Sequence, residues 1–153
     1  VPNGEYFLTL CTDEHRHGLT NVGIASAVLR EMQEMILDGS WQVRCATVMP
    51  DHVHALVVLG GRLSLGKTVA RLKAKTSRGL ADSACKWERD FFDRHVRPDE
   101  DRLALFLYIF LNPYRAGLSS RLETWPWYFC RPDDWEWFQN YLEQDRPLPE
   151  WLL

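Results

Sequence analysis

An α+β fold built on an antiparallel sheet is what the residue pattern predicts, and three observations carry it. Short aromatic or apolar runs alternate with longer stretches of helical periodicity. A Pro50-Asp51 turn sets two of the short runs back to back as a hairpin. The resulting order is strand, helix, strand, strand, helix, strand, which is the split βαβ, ferredoxin-like pattern, and one more helix follows.

Each element has a local reason. Residues 5–11 are aromatic and apolar and read as a buried strand. A helix begins after Thr20 or Asn21, buries Ile24, Val28, Met32, Met35 and Ile36, and stops at Asp38-Gly39. Residues 41–49 form the second strand and residues 52–59 the third, ended by Gly60-Gly61. Ser64 starts a second helix that runs to about Arg78, with Gly79 as its terminator. Residues 90–97 make a fourth strand. Pro98-Asp99-Glu100-Asp101 then opens an apolar helix over 103–111, its acids matched to the helix dipole.

With 153 residues, 46% of them hydrophobic, one compact domain is expected. No apolar run reaches the length of a membrane span, and the start lacks the pattern of a signal peptide. Cys11, Cys45, Cys85 and Cys130 are scattered without Cys-x-x-Cys spacing, so reduced cysteines of a cytoplasmic protein are expected, not a disulfide frame or zinc site.

The net charge of −3 argues against a generic nucleic-acid binder, but the charge is unevenly placed. From Ala55 to Ala81 stand Arg62, Lys67, Arg71, Lys73, Lys75 and Arg78, with no acid among them. Lys67, Arg71, Lys75 and Arg78 recur at helical spacing and form a positive stripe. Such a stripe serves equally as a solvated face or as a contact for a phosphate backbone. Beyond Thr124 the chain turns acidic and holds five of the seven tryptophans: Trp125, Trp127, Trp135, Trp137 and Trp151. Residues 132–144 fit one amphipathic helix there.

The most informative residues are His52 and His54. Two apart on a strand, they share one face, about 7 Å apart at the backbone, while Val53, Ala55, Val57 and Leu59 take the other. The pair fits a shared divalent ion, and it also fits two histidines on a half-exposed face. Tyr108 and Asn112, four apart on a helix, put a phenol and a carboxamide on one side. Alone, Tyr108 reads as a core tyrosine and Asn112 as a helix-end residue before Pro113. Asp51 reads as a turn residue, and His15, His17 and His95 as structural or surface groups.

Taken together, His52-Val53-His54 followed after a basic helix by Tyr108-x-x-x-Asn112 resembles the single-tyrosine HUH transposases. Tyr108-Ile-Phe-Leu-Asn112-Pro113-Tyr114-Arg115-Ala116-Gly117-Leu118 is similar to the Tyr-Ile-x-x-Asn-Pro-x-Arg-Ala-Gly-Leu run of their REP-associated tyrosine transposase branch. Phe91-Phe92-Asp93-Arg94-His95-Val96-Arg97 and Trp125-Pro126-Trp127 resemble that branch as well, so the likeness spans about Tyr6 to Trp127. Tyr114 departs from it, standing where the family generally has a small apolar residue.

The resemblance implies a transposase domain over residues 1–124 and a separate Trp-rich acidic tail over 125–153. It implies Tyr108 as nucleophile, and His52, His54 and Asn112 as ligands of Mg²⁺ or Mn²⁺. Arg62, Lys67, Arg71, Lys73, Lys75, Arg78 and Arg115 would contact DNA. The expected activity is cleavage and transfer of single-stranded or hairpin DNA, such as repetitive palindromic elements, through a 5′-phosphotyrosine. A bacterial cytoplasmic monomer or homodimer, with no membrane partner, is expected. Two other functions fit the same residues: a non-catalytic nucleic-acid binder, and a metal-dependent phosphodiesterase that uses water.

Overall fold

The computed structural model describes residues 3–120 and 123–142. The elements run β1 (Glu5–Cys11), α1 (Val22–Leu37), β2 (Trp41–Val48), β3 (His52–Leu59), α2 (Leu65–Ala81), β4 (Phe92–Val96), α3 (Arg102–Arg115), β5 (Tyr128–Cys130) and α4 (Pro132–Phe138). The strands form one sheet in the order β4-β1-β3-β2-β5, and every pairing is antiparallel. The first four strands and α1 and α2 give the expected ferredoxin-like arrangement; β5 extends it at the β2 edge.

Alternation along β3 divides the molecule into three layers. Val53, Ala55, Val57 and Leu59 join Leu8 and Leu10 of β1 in a core roofed by α1 and α2, through Val28, Met32 and Met35 and through Val69, Leu72 and Leu80. Leu56, on the opposite face, joins Cys45, Val96, Phe106, Ile109, Leu111 and Phe138 in a second core beneath α3 and α4. His52 and His54 share that second face. The sheet is therefore covered on both sides, with the histidines away from α1 and α2.

The helix ends show why the chain turns where it does. After α1, the Gly39 N–H donates to the Ile36 carbonyl and the Ser40 N–H to that of Met35. Gly39 supplies the required positive φ of 82°. The same motif closes α3: Gly117, at φ 74°, donates to Tyr114 and Leu118 donates to Pro113. The Arg-Ala-Gly-Leu run is thus a helix stop in physical terms. At the start of α3, the Asp101 carboxylate accepts from the Leu103 N–H at 2.9 Å.

Four expectations need correction. Gly79 does not end α2, which runs on to Ala81; fully buried Leu80 packs into the core and outweighs the roughly 1 kcal/mol that an interior glycine costs. Pro113 does not end α3 either, so Asn112 lies within the regular helix. The residues from 125 to 142 are not an appended tail. Trp125 Nε1 donates to the Val48 carbonyl at 3.2 Å, β5 pairs with β2, and Phe138 is fully buried in the second core. The predicted helix over 132–144 is shorter, ending at Phe138 before a single tight turn to Tyr141; residues 143–153, with Trp151, lie outside the described residues.

A charged cluster fastens this layer. Arg44, in an irregular step of β2, donates to Glu5 at 2.9 Å and to both oxygens of Asp134, at 2.8 and 3.1 Å. Arg102 reaches the other oxygen of Glu5 at 3.0 Å, and Arg131 bonds Asp134 at 3.0 Å. Burial disfavours the Asp134 charge, but hydrogen bonds from Arg44 and Trp137 together with the Arg44 and Arg131 charges outweigh it and hold the carboxyl below its usual range. The Phe138→Ala variant should lose about 3–5 kcal/mol of unfolding free energy, and truncation before Pro132 should lower the melting temperature strongly. A truncated chain melting with the parent would show that α4 is dispensable.

Candidate nucleic-acid processing site

The register of the sheet builds the site. On β1, Thr9 lies opposite His54 and Cys11 opposite His52; on β2, Thr47 lies opposite His54. His54 is therefore flanked by two threonines, and Thr9 Oγ1 stands 3.0 Å from its Nδ1. The two imidazoles meet edge to face with centroids 4.5 Å apart. Burial, then the neighbouring His52, pushes the His54 pKa down to about 4, so its ring is neutral at physiological pH.

Asp51 is more than a turn residue. Its Oδ1 lies 2.7 Å from His52 Nδ1 and its Oδ2 3.6 Å from His15 Nδ1. A carboxylate only accepts, which makes His52 Nδ1 the donor, so that in the neutral ring Nε2 keeps its lone pair. When His54 Nδ1 carries the proton toward Thr9, its Nε2 is likewise an acceptor. Metal-binding histidines are oriented in this way, through the nitrogen that does not ligate. Among the described residues no group of three or more His, Cys, Asp and Glu is placed to hold a metal ion, so a third protein donor would be of another residue type.

Tyr108 comes from the facing layer. Its ring lies 5.3 Å from His54 and 5.8 Å from Phe7, centroid to centroid, edge to face in both cases, and 45% of the residue is exposed. Asn112 and Arg115 follow at one and two turns and share its side of α3. Tyr114 is only 7% exposed, and its hydroxyl accepts from the Trp125 N–H at 3.1 Å. The second tyrosine is thus a packing residue of the β5 layer, and Tyr108 alone of the two faces the histidines.

The basic stripe does not join this site. Its helix α2 covers the other face of the sheet. Of the six cations between Ala55 and Ala81, three are committed within the fold. Arg71 pairs with the Asp38 carboxylate at 2.8 Å, and Arg62 donates to the Asp38 carbonyl. Lys73 donates to the carbonyls of Glu88, Arg89 and Asp90, and burial pulls its amine below the ordinary value. Lys67, Lys75 and Arg78 are exposed, but on that far side. Helical spacing revealed the stripe and could not show which face of the sheet the helix covers. On the near side stand Arg115 and, from β4, Arg94, which sequence reading missed because its place beside Phe7 depends on register.

The fold and site thus bring a phenol to a histidine pair on one face of a two-faced antiparallel sheet. The family model for IS200-like transposases matches residues 1–96, and the chain belongs to that family. Its fold is similar to that of a REP-associated tyrosine transposase solved bound to a REP hairpin, with a TM-score of 0.69 at 18% identity over 84% of this chain and 77% of the other. A candidate transposase of Deinococcus radiodurans has a TM-score of 0.52 at 17% identity over 76% and 91%. No curated protein sequence matches. Among the described residues no helix is long and apolar enough to cross a membrane.

The His54 titration is a direct check of this geometry. Its folded pKa lies below the ordinary 6.5, so the unfolded chain takes up that proton first. The group's stabilising contribution is complete above pH 6.5 and declines as pH falls toward 4. In an NMR titration the His54 ring should stay neutral until pH approaches 4; protonation near 6.5 would contradict its burial.

Proposed function

We propose that the protein cleaves and rejoins a DNA strand, with Tyr108 as the nucleophile. The observation that carries this reading is the half-exposed Tyr108 ring packed directly on His54. In the forward step the Tyr108 oxygen attacks phosphorus and loses its proton, a Tyr–O–P bond forms, and the P–O3′ bond breaks. The departing 3′ oxygen takes up a proton, and the 5′ end stays on the protein. Attack by a 3′ hydroxyl reverses the step and releases the tyrosine, so a strand can be transferred without net hydrolysis.

His52, His54 and Asn112 would hold Mg²⁺ or Mn²⁺; bound there, the ion supplies Lewis acidity for the phosphate oxygens. The mixture of imidazole nitrogen and amide oxygen suits Mn²⁺ better than Mg²⁺. Asp51 orients His52 for this role, and Thr9 orients His54. Arg115, on the same side of α3 as Tyr108, would hold the backbone of the strand. The substrate is single-stranded or hairpin DNA, a reading supported by the family and by the REP hairpin bound to the protein of similar fold.

Two experiments test this. Incubated with hairpin DNA carrying a single-stranded flank and Mn²⁺, the parent should yield a covalent protein–DNA adduct on a denaturing gel. Tyr108→Phe should abolish it, whereas Tyr114→Phe should keep it while lowering thermal stability. An adduct persisting in Tyr108→Phe would overturn the assignment. For the ion, calorimetry with Mn²⁺ alone should show His52→Ala removing binding and Asp51→Asn weakening it by about 10–100-fold. Unchanged affinity in both variants would exclude the histidine pair as the metal site.

A further inference from the structure

Beside Tyr108, between α3 and the β4 side of the sheet, opens a cleft of about 310 Å³ lined by Phe7, Arg94, Ala104, Leu105 and Tyr108. Its walls are apolar and aromatic, with one cation at the rim. Arg94 is fixed there by Glu100, 2.7 Å from its Nη1. The register places Arg94 beside Phe7 and Phe92 beside Thr9, on the same face. Phe92 is 68% exposed, which is costly for so large an apolar ring in water.

We infer that this cleft is a nucleobase subsite, taking one unpaired base of a nucleotide that flanks the phosphate presented to Tyr108. The inference rests on the proposed strand-transfer reading and extends it to substrate recognition. Three observations favour a base over other occupants. Tyr108 is itself a wall, so whatever reaches its hydroxyl lies against the cleft. The space is at the small end for ligand sites and ample for one flat ring system. Aromatic walls match the π-face of a base, and the rim guanidinium, held through Nη1 by Glu100, offers a planar group that can stack on it. Such a pocket selects strands whose bases are free, because a paired base cannot enter.

The test requires no cleavage, so it stands apart from the phosphotyrosine experiment. The full chain is irradiated with a pool of hairpin oligonucleotides whose randomised single-stranded flank carries 5-iodouracil in place of thymine. Cross-links mapped by peptide mass should fall on Phe7, Phe92 or Tyr108. Cross-links confined to other surfaces, such as α2, would overturn the subsite. Ala104→Trp then fills the cleft from an exposed position, and its folding is checked by melting. In fluorescence anisotropy this variant should bind the cross-linking oligonucleotide about tenfold more weakly, the scale of one lost stack. It should bind an abasic version at the cross-linked position as the parent does. An equal loss for both oligonucleotides, or no loss for either, would refute the inference. Cross-links at the cleft without any covalent adduct would leave the subsite standing and sink the nucleophile.

Discussion

Because β3 is hydrogen-bonded on both sides, by β1 and by β2, its side chains can point only to one face of the sheet or the other. Four of them, Val53, Ala55, Val57 and Leu59, are claimed by the core beneath α1 and α2. That claim leaves His52 and His54 no choice of direction. Everything else at the site is arranged against this fixed pair: Thr9 and Thr47 arrive by register, Asp51 by the turn, and Tyr108 by the packing of α3. The apolar face thus sets the chemistry of the polar one, since a slip of one residue would turn both imidazoles into the core under α1 and α2 and put four aliphatic side chains on the site face.

The opposite layer needs its own anchor, because α3 must hold a partly exposed tyrosine over a polar patch. The Arg44 cluster supplies it. One guanidinium ties β1 through Glu5 and α4 through Asp134, and Glu5 in turn holds Arg102 at the start of α3. Arg44 is 17% exposed and Asp134 only 4%, so an unpaired member would be a costly buried charge. The cluster favours one docking of α3 and α4 over near alternatives. It also places the tryptophan-rich segment within the domain, since β5 and α4 complete the core under α3.

Much of this was legible in the residues. Period-two and helical patterns gave the strands, α1 and the two-faced character of β3, because those elements obey local rules. The histidine pair and the spacing of Tyr108 and Asn112 were likewise local. What could not be read were relations across the chain. Thr9 meets His54 only through a register 45 residues long. Lys73 looks like a free cation until the carbonyls of 88–90 close on it. The acidic, aromatic composition beyond Thr124 suggested a solvated tail, but Asp134 is acidic because Arg44 awaits it. Asp51 was misjudged for another reason. Its place in the turn is local, but the contact of its side chain back to His52 depends on the three-dimensional course of that turn.

Both ends of α3 are pinned, by the Asp101 cap and by the left-handed stop at Gly117, and this bears on how the chain can change in length. A helix carries its residues round by 100° and forward by about 1.5 Å per step. One residue inserted between Asp101 and Tyr108 would swing the phenol a quarter-turn off the histidines, with no loop inside the helix to absorb the error. Length variation among relatives should therefore concentrate outside these two pins, in the stretch before Asp101 and the connection after Leu118. Between them the helix is a ruler, and its graduations fix where the phenol stands over the histidines.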